Sequence, residues 1–151
     1  MAVRTLIMIR KSLALVFLSI AITHADTTSV LFGKWKVASY YVSTMAAMHD
    51  SVASKTYLNK KARYAPGFAS FLKESCKLPA YRIGTVKAED YFFGDLTVPT
   101  ALGITNDSIR VVSVLCDSTD WAVPGGIVLL ISESKIILSW RKIYLVMKKL
   151  D

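Results

Sequence analysis

The chain has 151 residues, a formal net charge of +8 at pH 7, and a composition that is 53% apolar and only 20% charged. This length accommodates one domain, or one domain with a removable segment, and excludes a catalytic domain with a separate cofactor domain. Only seven glycines and four prolines are present, which excludes collagen-like and low-complexity chains, and the high apolar fraction excludes intrinsic disorder.

The amino terminus has the pattern of a cleavable export signal. Residues 1–11 contain three bases and no acid, and an uncharged apolar run follows over residues 12–22. This run is too short to span a bilayer, and Ala25 supplies a small residue before the expected cleavage site. We therefore predict a signal peptide over residues 1–25 and a single periplasmic or secreted domain over residues 26–151, with no stable membrane insertion after cleavage. The alternative is an uncleaved membrane anchor.

Much of the positive charge belongs to this predicted signal. The remaining domain has 16 Lys and Arg residues against 11 acidic residues, a charge of +5. In the sequence these bases occur singly or in pairs, as at Lys60-Lys61 and Lys148-Lys149, and form no tract. No motif of the common nucleic-acid readers is present. We therefore expect no nucleic-acid partner.

The two cysteines, Cys76 and Cys116, both belong to the predicted mature domain. In an exported protein, two thiols at this separation are most simply interpreted as one disulfide. Such a bridge stabilises the fold by about 3–4 kcal/mol in the chain-entropy model. The alternative is a pair of buried free cysteines, because the sequence does not fix the distance between their Cα atoms.

Alternation of apolar and polar residues predicts β-strands in the first half of the domain. Residues 32–43 place Trp35 and Tyr41 on one face and Lys34 and Lys36 on the other, which predicts a strand with one buried face. The Pro66-Gly67 turn predicts a hairpin. The other elements predicted here are short helices over residues 44–57, strands over 58–64, 68–73 and 80–86, a short helix over 88–93, and an irregular stretch over 94–106.

The carboxy-terminal third predicts a four-strand antiparallel meander. Runs rich in β-branched and aliphatic residues cover 108–116, 126–131, 135–140 and 143–147, with short polar breaks between them. Residues 127–131 are apolar on both faces and should lie centrally in the sheet. Arg141-Lys142 is an atypical two-residue turn, because it lacks the glycine or asparagine that favours positive φ.

Seven or eight strands without a strand-helix-strand rhythm favour a mainly β fold. We therefore expect a small antiparallel β-barrel or curled sheet with one or two short helices.

Several residues carry a family resemblance. Gly33-Lys-Trp35 resembles the Gly-x-Trp motif that opens lipocalin-like barrels, and Trp140-Arg-Lys-Ile-Tyr-Leu145 is similar to the end of small exported barrels of the lysozyme-inhibitor and META type. The middle, with Tyr57-Leu-Asn-Lys60 and residues 76–81, looks like a group of small secreted bacterial proteins. The resemblance implies a fold and a compartment, and supplies no catalytic residues.

Few residues are suited to chemistry. His49 is the only histidine of the mature domain, and a zinc site built from His49, the two cysteines and a carboxylate would lack the close paired spacing of structural sites. Glu89 and Asp90 are adjacent, so they point about 100° apart on a helix and suit a solvated face better than acid-base catalysis. No nucleophile elbow, phosphate loop or dinucleotide fingerprint is present. We therefore expect no enzyme, no metal and no cofactor.

The remaining hypothesis is a non-enzymatic binding protein that binds and blocks another exported or envelope protein, as an inhibitor or immunity protein does. The candidate partner-binding residues are Trp121, Val123 and Pro124, because an apolar loop can anchor a partner. The alternative for this loop is that it folds over one end of the barrel. The alternative function is a carrier of a small apolar ligand inside the barrel, with Trp35 and Tyr41 as ligand-binding residues.

Overall fold

The computed structural model describes residues 27–44, 54–95 and 97–151. In this part of the chain ten strands form one antiparallel sheet, accompanied by a short 3₁₀ turn at Thr27–Val30 and two short helices. The strands are β1 Gly33–Val42, β2 Lys61–Ala65, β3 Phe68–Phe71, β4 Glu74–Lys77, β5 Ala80–Lys87, β6 Ser108–Cys116, β7 Thr119–Asp120, β8 Ile127–Ser132, β9 Lys135–Trp140 and β10 Ile143–Leu150, and the helices are α1 Ala88–Tyr91 and α2 Thr97–Ala101.

The sheet is curled and open, with the strand order β4-β3-β2-β1-β10-β9-β8-β6-β5 and β7 paired to β6. The predicted mainly β, antiparallel class is confirmed. The predicted number of seven or eight strands is wrong, because β4 and β7 are too short to show an alternating pattern. A closed barrel is also not formed, since β4 and β5 lie at the two ends of the strand order.

A disulfide bridges the first and eighth strands of this order. Cys76 on β4 and Cys116 at the end of β6 are joined, with their Cα atoms 5.7 Å apart, which confirms the predicted pairing. Nearby, the Tyr81 hydroxyl on β5 donates a hydrogen bond of 2.7 Å to the Ala65 carbonyl at the end of β2. These contacts draw the two open edges of the sheet together at one end.

The concave side of the sheet holds the larger core. Trp35, Tyr64 and Phe71 are at most 1% exposed there, and apolar side chains from the central strands pack around them. The segment before β1 closes this core, because Leu31 is fully buried and its carbonyl accepts a 2.8 Å hydrogen bond from the Trp35 indole. Burying a side chain of this size contributes about 1.5–3 kcal/mol.

The convex side is covered in part by the two helices. Phe92, Val98 and Leu102 pack there against outward residues such as Leu129 of β8. Since Val128 and Leu130 face the concave core, β8 is buried on both faces. It is an interior strand, third from one end of the strand order, and does not lie at its centre. Helix α2 lies inside the stretch predicted to be irregular.

Helix α2 forms within the stretch predicted to be irregular because its ends suit a helix. Pro99 stands in the first turn of α2, where a missing backbone N–H costs nothing. Gly103, with φ of 68°, follows the helix in the left-handed conformation that is common just after a helix ends.

The carboxy-terminal meander is confirmed, because β6, β8, β9 and β10 are successive neighbours in the sheet. Its last turn adopts positive φ at both central residues, 48° at Arg141 and 66° at Lys142, as a tight hairpin requires. The Arg141 guanidinium lies 4.9 Å from the centre of the Trp140 ring. The twist of the hairpin therefore imposes left-handed backbone on two residues that do not favour it.

The predicted faces of β1 are wrong beyond Val37. The register with β10 passes from Val37 opposite Met147 to Ser39 opposite Val146, which makes Ala38 an extra residue in the strand. Such a β-bulge exchanges the two faces of the residues that follow it. Tyr40 therefore packs against the concave core, whereas Tyr41 packs against the convex cluster.

Two predictions fall outside the described residues. The predicted signal peptide, residues 1–25, lies entirely outside them. So do residues 45–53, which include His49 and most of the helical prediction for residues 44–57. Within the described ranges, no helix has both the length and the apolar character needed to cross a membrane.

Candidate functional site

The predicted partner-binding loop folds against the end of the concave core. Trp121 is only 8% exposed, and Val123 is half-buried against the same core. Two glycines allow this close approach: a Cβ atom on Gly126 would lie 1.8 Å from the Trp121 carbonyl oxygen, and one on Gly125 would lie 3.0 Å from the Phe71 Cβ atom. The Gly125 carbonyl also accepts a 2.8 Å hydrogen bond from the buried Tyr64 hydroxyl. The structure thus shows the alternative arrangement, a loop folded over one end of the sheet.

This packing removes most of the Trp121 ring from the surface. The Trp121 ring belongs to the core, and Pro124 is half-buried beside it. A cleft next to Trp121 and Trp140 has a volume of only about 110 Å³, well below the roughly 300–1,000 Å³ of ligand pockets. The apolar character of this segment is explained by its contact with the core.

The two residues predicted to bind a small ligand do not share a lining. Trp35 is fully buried on the concave side, and the Lys149 ammonium lies 5.1 Å from the centre of its ring. Tyr41 lies on the opposite face because of the bulge in β1. Tyr64 and Phe71 occupy the concave side next to Trp35. The concave side is therefore a packed core.

A buried polar cluster lies at the end of β1. Asp95, 6% exposed, accepts hydrogen bonds from the Ser43 hydroxyl and from the backbone N–H of Thr44, the latter at 3.2 Å. Burial, together with the nearby Tyr91 and Asp95, raises the pKa of Tyr144 to about 12. The hydrogen bonds that Asp95 accepts from Ser43 and Thr44 fasten the segment after α1 to the end of β1. Among the described residues, no three His, Cys, Asp or Glu side chains are grouped so that they could hold a metal ion.

The convex face carries a row of four lysines in direct register. Lys61 on β2 is opposite Lys36 on β1, Lys36 is opposite Lys148 on β10, and Lys148 is opposite Lys135 on β9. Because Trp35, Val37 and Met147 face the concave core and successive side chains alternate between faces, these lysines point outward. We call them the lysine row.

Two more cations flank the lysine row. Lys34 is opposite Arg63, two residues along from Lys36 and Lys61 on the same strands and therefore on the same face. The Arg63 guanidinium lies 5.8 Å from the centre of the Phe68 ring on β3, a cation-π contact. We call the surface formed by these six residues, Lys34, Lys36, Lys61, Arg63, Lys135 and Lys148, the basic face.

Within the described residues, no carboxylate lies within 4.0 Å of a cation of the basic face. The single salt bridge in residues 27–44, 54–95 and 97–151 joins Lys87 and Glu89 at 3.7 Å, away from the row and with both side chains largely exposed. Like charges placed directly opposite each other on neighbouring strands are destabilising. The basic face therefore keeps its positive charge at a cost to stability.

A cleft of about 540 Å³ opens at one end of the lysine row. Lys135, Lys148 and Lys149 line it together with Ser132, Ser134 and Val146. The Lys135 ammonium donates a 2.7 Å hydrogen bond to the Leu102 carbonyl just after α2, which holds this end of the row in place. Hydroxyl and ammonium donors beside one another suit an anionic group.

Sequence reasoning missed the basic face because its members come from four strands. The sequence signal was the alternation itself: Lys34 with Lys36, and Lys61 with Arg63, repeat with period two. Only the strand pairing converts these short patterns into one surface. Comparison with protein-family models, with curated proteins and with solved structures finds no match, so the basic face is interpreted from its own chemistry.

Proposed function

We propose that this chain is a non-enzymatic exported binding protein that binds and blocks another exported or envelope protein, as inhibitors and immunity proteins do. The observation that carries the proposal is the basic face, whose six cations lack carboxylate partners in the described structure. A surface of one sign steers an oppositely charged partner and selects against others. The partner therefore presents an acidic surface.

The scaffold supports this role. The disulfide between Cys76 and Cys116 suits an oxidising compartment outside the cytoplasm. The basic face lies on β2, β1, β10 and β9, which pair as continuous neighbours in the sheet. Charges mounted on regular strands are held more firmly than charges on loops. A preorganised surface loses less side-chain freedom on binding.

The alternative of a carrier for a small apolar ligand has less support. It requires an open space on the concave side of the sheet, lined by Trp35. That side is filled by fully buried side chains, including Trp35 itself, Tyr64 and Phe71. The packed concave side favours protein binding through the outer face.

A crosslinked pull-down from the cell envelope tests the proposal with three forms of the full chain. The Lys36→Gln/Lys148→Gln variant removes two charges from the lysine row. The Arg82→Gln/Lys87→Gln variant removes two charges from β5, at the far end of the strand order, and is the matched control.

We expect the wild type and the control to capture the same protein, with a yield that falls as ionic strength rises. The Lys36→Gln/Lys148→Gln variant should capture severalfold less, since each exposed charge pair accounts for about a 1.4- to fivefold change in affinity. The absence of any protein partner above background would refute the proposal. Equal capture by all three forms would show that the basic face is not the binding surface.

A further inference from the structure

The basic face is convex. The disulfide brings β4 next to β6, although six strands separate them in the sheet order, so the sheet bends strongly. It bends toward the side that carries Cys76 and Trp35, because both are buried in the concave core. The lysines point away from that core and lie on the outside of the bend.

The lysine row follows this curvature across four strands. Neighbouring strands lie about 4.8 Å apart, so the four positions span an arc of about 14 Å. On the outside of a bend the side chains diverge from one strand to the next. A flat surface would reach the middle pair, Lys36 and Lys148, more easily than the two ends, Lys61 and Lys135.

We infer that the partner receives the basic face in a concave cleft lined with carboxylates. A surface that curves in the opposite sense can contact all four lysines at once, and a cleft lined by one sign of charge concentrates its field inside. At the end of the row, the Lys135 ammonium uses one of its three N–H donors on the Leu102 carbonyl. The other donors remain for the partner.

This inference rests on the proposed function and makes it more specific. An acidic cleft filled by the basic face is closed to whatever normally enters it, which is how binding would block the partner. The six cations act together: the four lysines contact the floor of the cleft along its length, and Lys34 and Arg63 contact one wall. Binding also relieves the repulsion between Lys36 and its two neighbours in the row.

Two synthetic peptides with four glutamates each test the shape of the ligand on the full chain. In the first, Gly-Ser spacers separate the glutamates, so the peptide can follow a curved surface. In the second, the glutamates recur every fourth residue on a helix that a covalent side-chain crosslink keeps straight, because like charges at this spacing destabilise a free helix. Affinities are measured at low salt with the wild type and with the Lys61→Gln, Lys135→Gln and Arg82→Gln variants.

We expect the flexible peptide to bind at least threefold more tightly than the helical peptide, although the flexible peptide loses more conformational freedom on binding. Substitution at either end of the row should weaken that binding about 1.4- to fivefold, and Arg82→Gln should leave it unchanged. Lys61 is exposed, so its replacement tests the row without disturbing packing.

Three results would overturn the inference. Equal or tighter binding of the straight helix, or no effect of the substitutions at the row ends, would exclude a concave ligand while leaving an acidic partner possible. Failure of both peptides to bind at low salt would overturn the proposed function as well, since the basic face would then not bind anions.

Discussion

Replacing Lys36 by glutamine should make the protein more stable. Lys36 lies between Lys61 and Lys148, in direct register with both. Each pair of like charges across neighbouring strands costs about 0.2–1 kcal/mol. Since solvent screens these side chains, the lower part of that range applies. Removing both pairs should raise the free energy of unfolding by about 0.5–1 kcal/mol.

Urea denaturation of the wild type and the variant, at low salt and at about 1 M salt, measures this gain. The Debye length falls to about 3 Å at 1 M, so the difference between the two proteins should largely disappear there. Lys87→Gln is the matched control. Lys87 pairs with Glu89, and its replacement should leave stability unchanged or slightly reduced.

The same substitution should weaken binding of the acidic partner, so stability and affinity change in opposite directions. A lysine that only supports the fold would not show this pattern, whereas a residue kept for binding would. A loss of stability on Lys36→Gln, or a gain that is the same at both salt concentrations, would refute the reasoning. The lysines of the row would then not repel one another enough to affect stability.

The other predictions concern the packing of the concave core and its bridge. Gly126→Ala should lower the free energy of unfolding, measured in urea, by at least about 2 kcal/mol, because its Cβ atom would lie 1.8 Å from the Trp121 carbonyl oxygen. The control Gly67→Ala has open space around the new Cβ atom and should cost far less. Equal effects of the two substitutions would contradict the described loop. Reduction of the bond between Cys76 and Cys116 should cost about 4 kcal/mol for a loop of 40 residues, and an unchanged urea midpoint under reductant would contradict the bridge. Burial raises the pKa of Tyr64 above its ordinary value. As the pH rises past about 10, the unfolded chain therefore loses the Tyr64 proton before the folded chain does. The free energy of unfolding should then fall, by up to about 1.4 kcal/mol per pH unit from this residue. Alkaline unfolding should therefore be less steep in Tyr64→Phe, and an identical pH profile would contradict a buried, protonated Tyr64.

The sequence alone determined the features that depend on local pattern. Alternating apolar residues predicted the hairpin around Pro66-Gly67 and the four strands of the carboxy-terminal meander, and both are present. The cysteine pairing followed from the number and separation of the thiols. These predictions succeeded because alternation and turn chemistry act over a few residues, and two cysteines allow only one intramolecular bridge.

Tertiary structure decided the features that depend on a β-bulge or on residues distant in the sequence. The extra residue Ala38 exchanged the faces of Tyr40 and Tyr41, and no alternation rule reveals a bulge. The apolar loop at Trp121 could have been exposed or packed, and the space beside Gly126 decided that it is packed.

The sequence showed only short fragments of the candidate site, and strand pairing joins them into one surface. Lys36 and Lys148 are separated by more than one hundred residues, yet β1 and β10 pair directly. The bases look scattered in the sequence because neighbours in the row come from distant parts of the chain. The sheet shows a row because hydrogen bonding between strands places positions from distant segments about 5 Å apart.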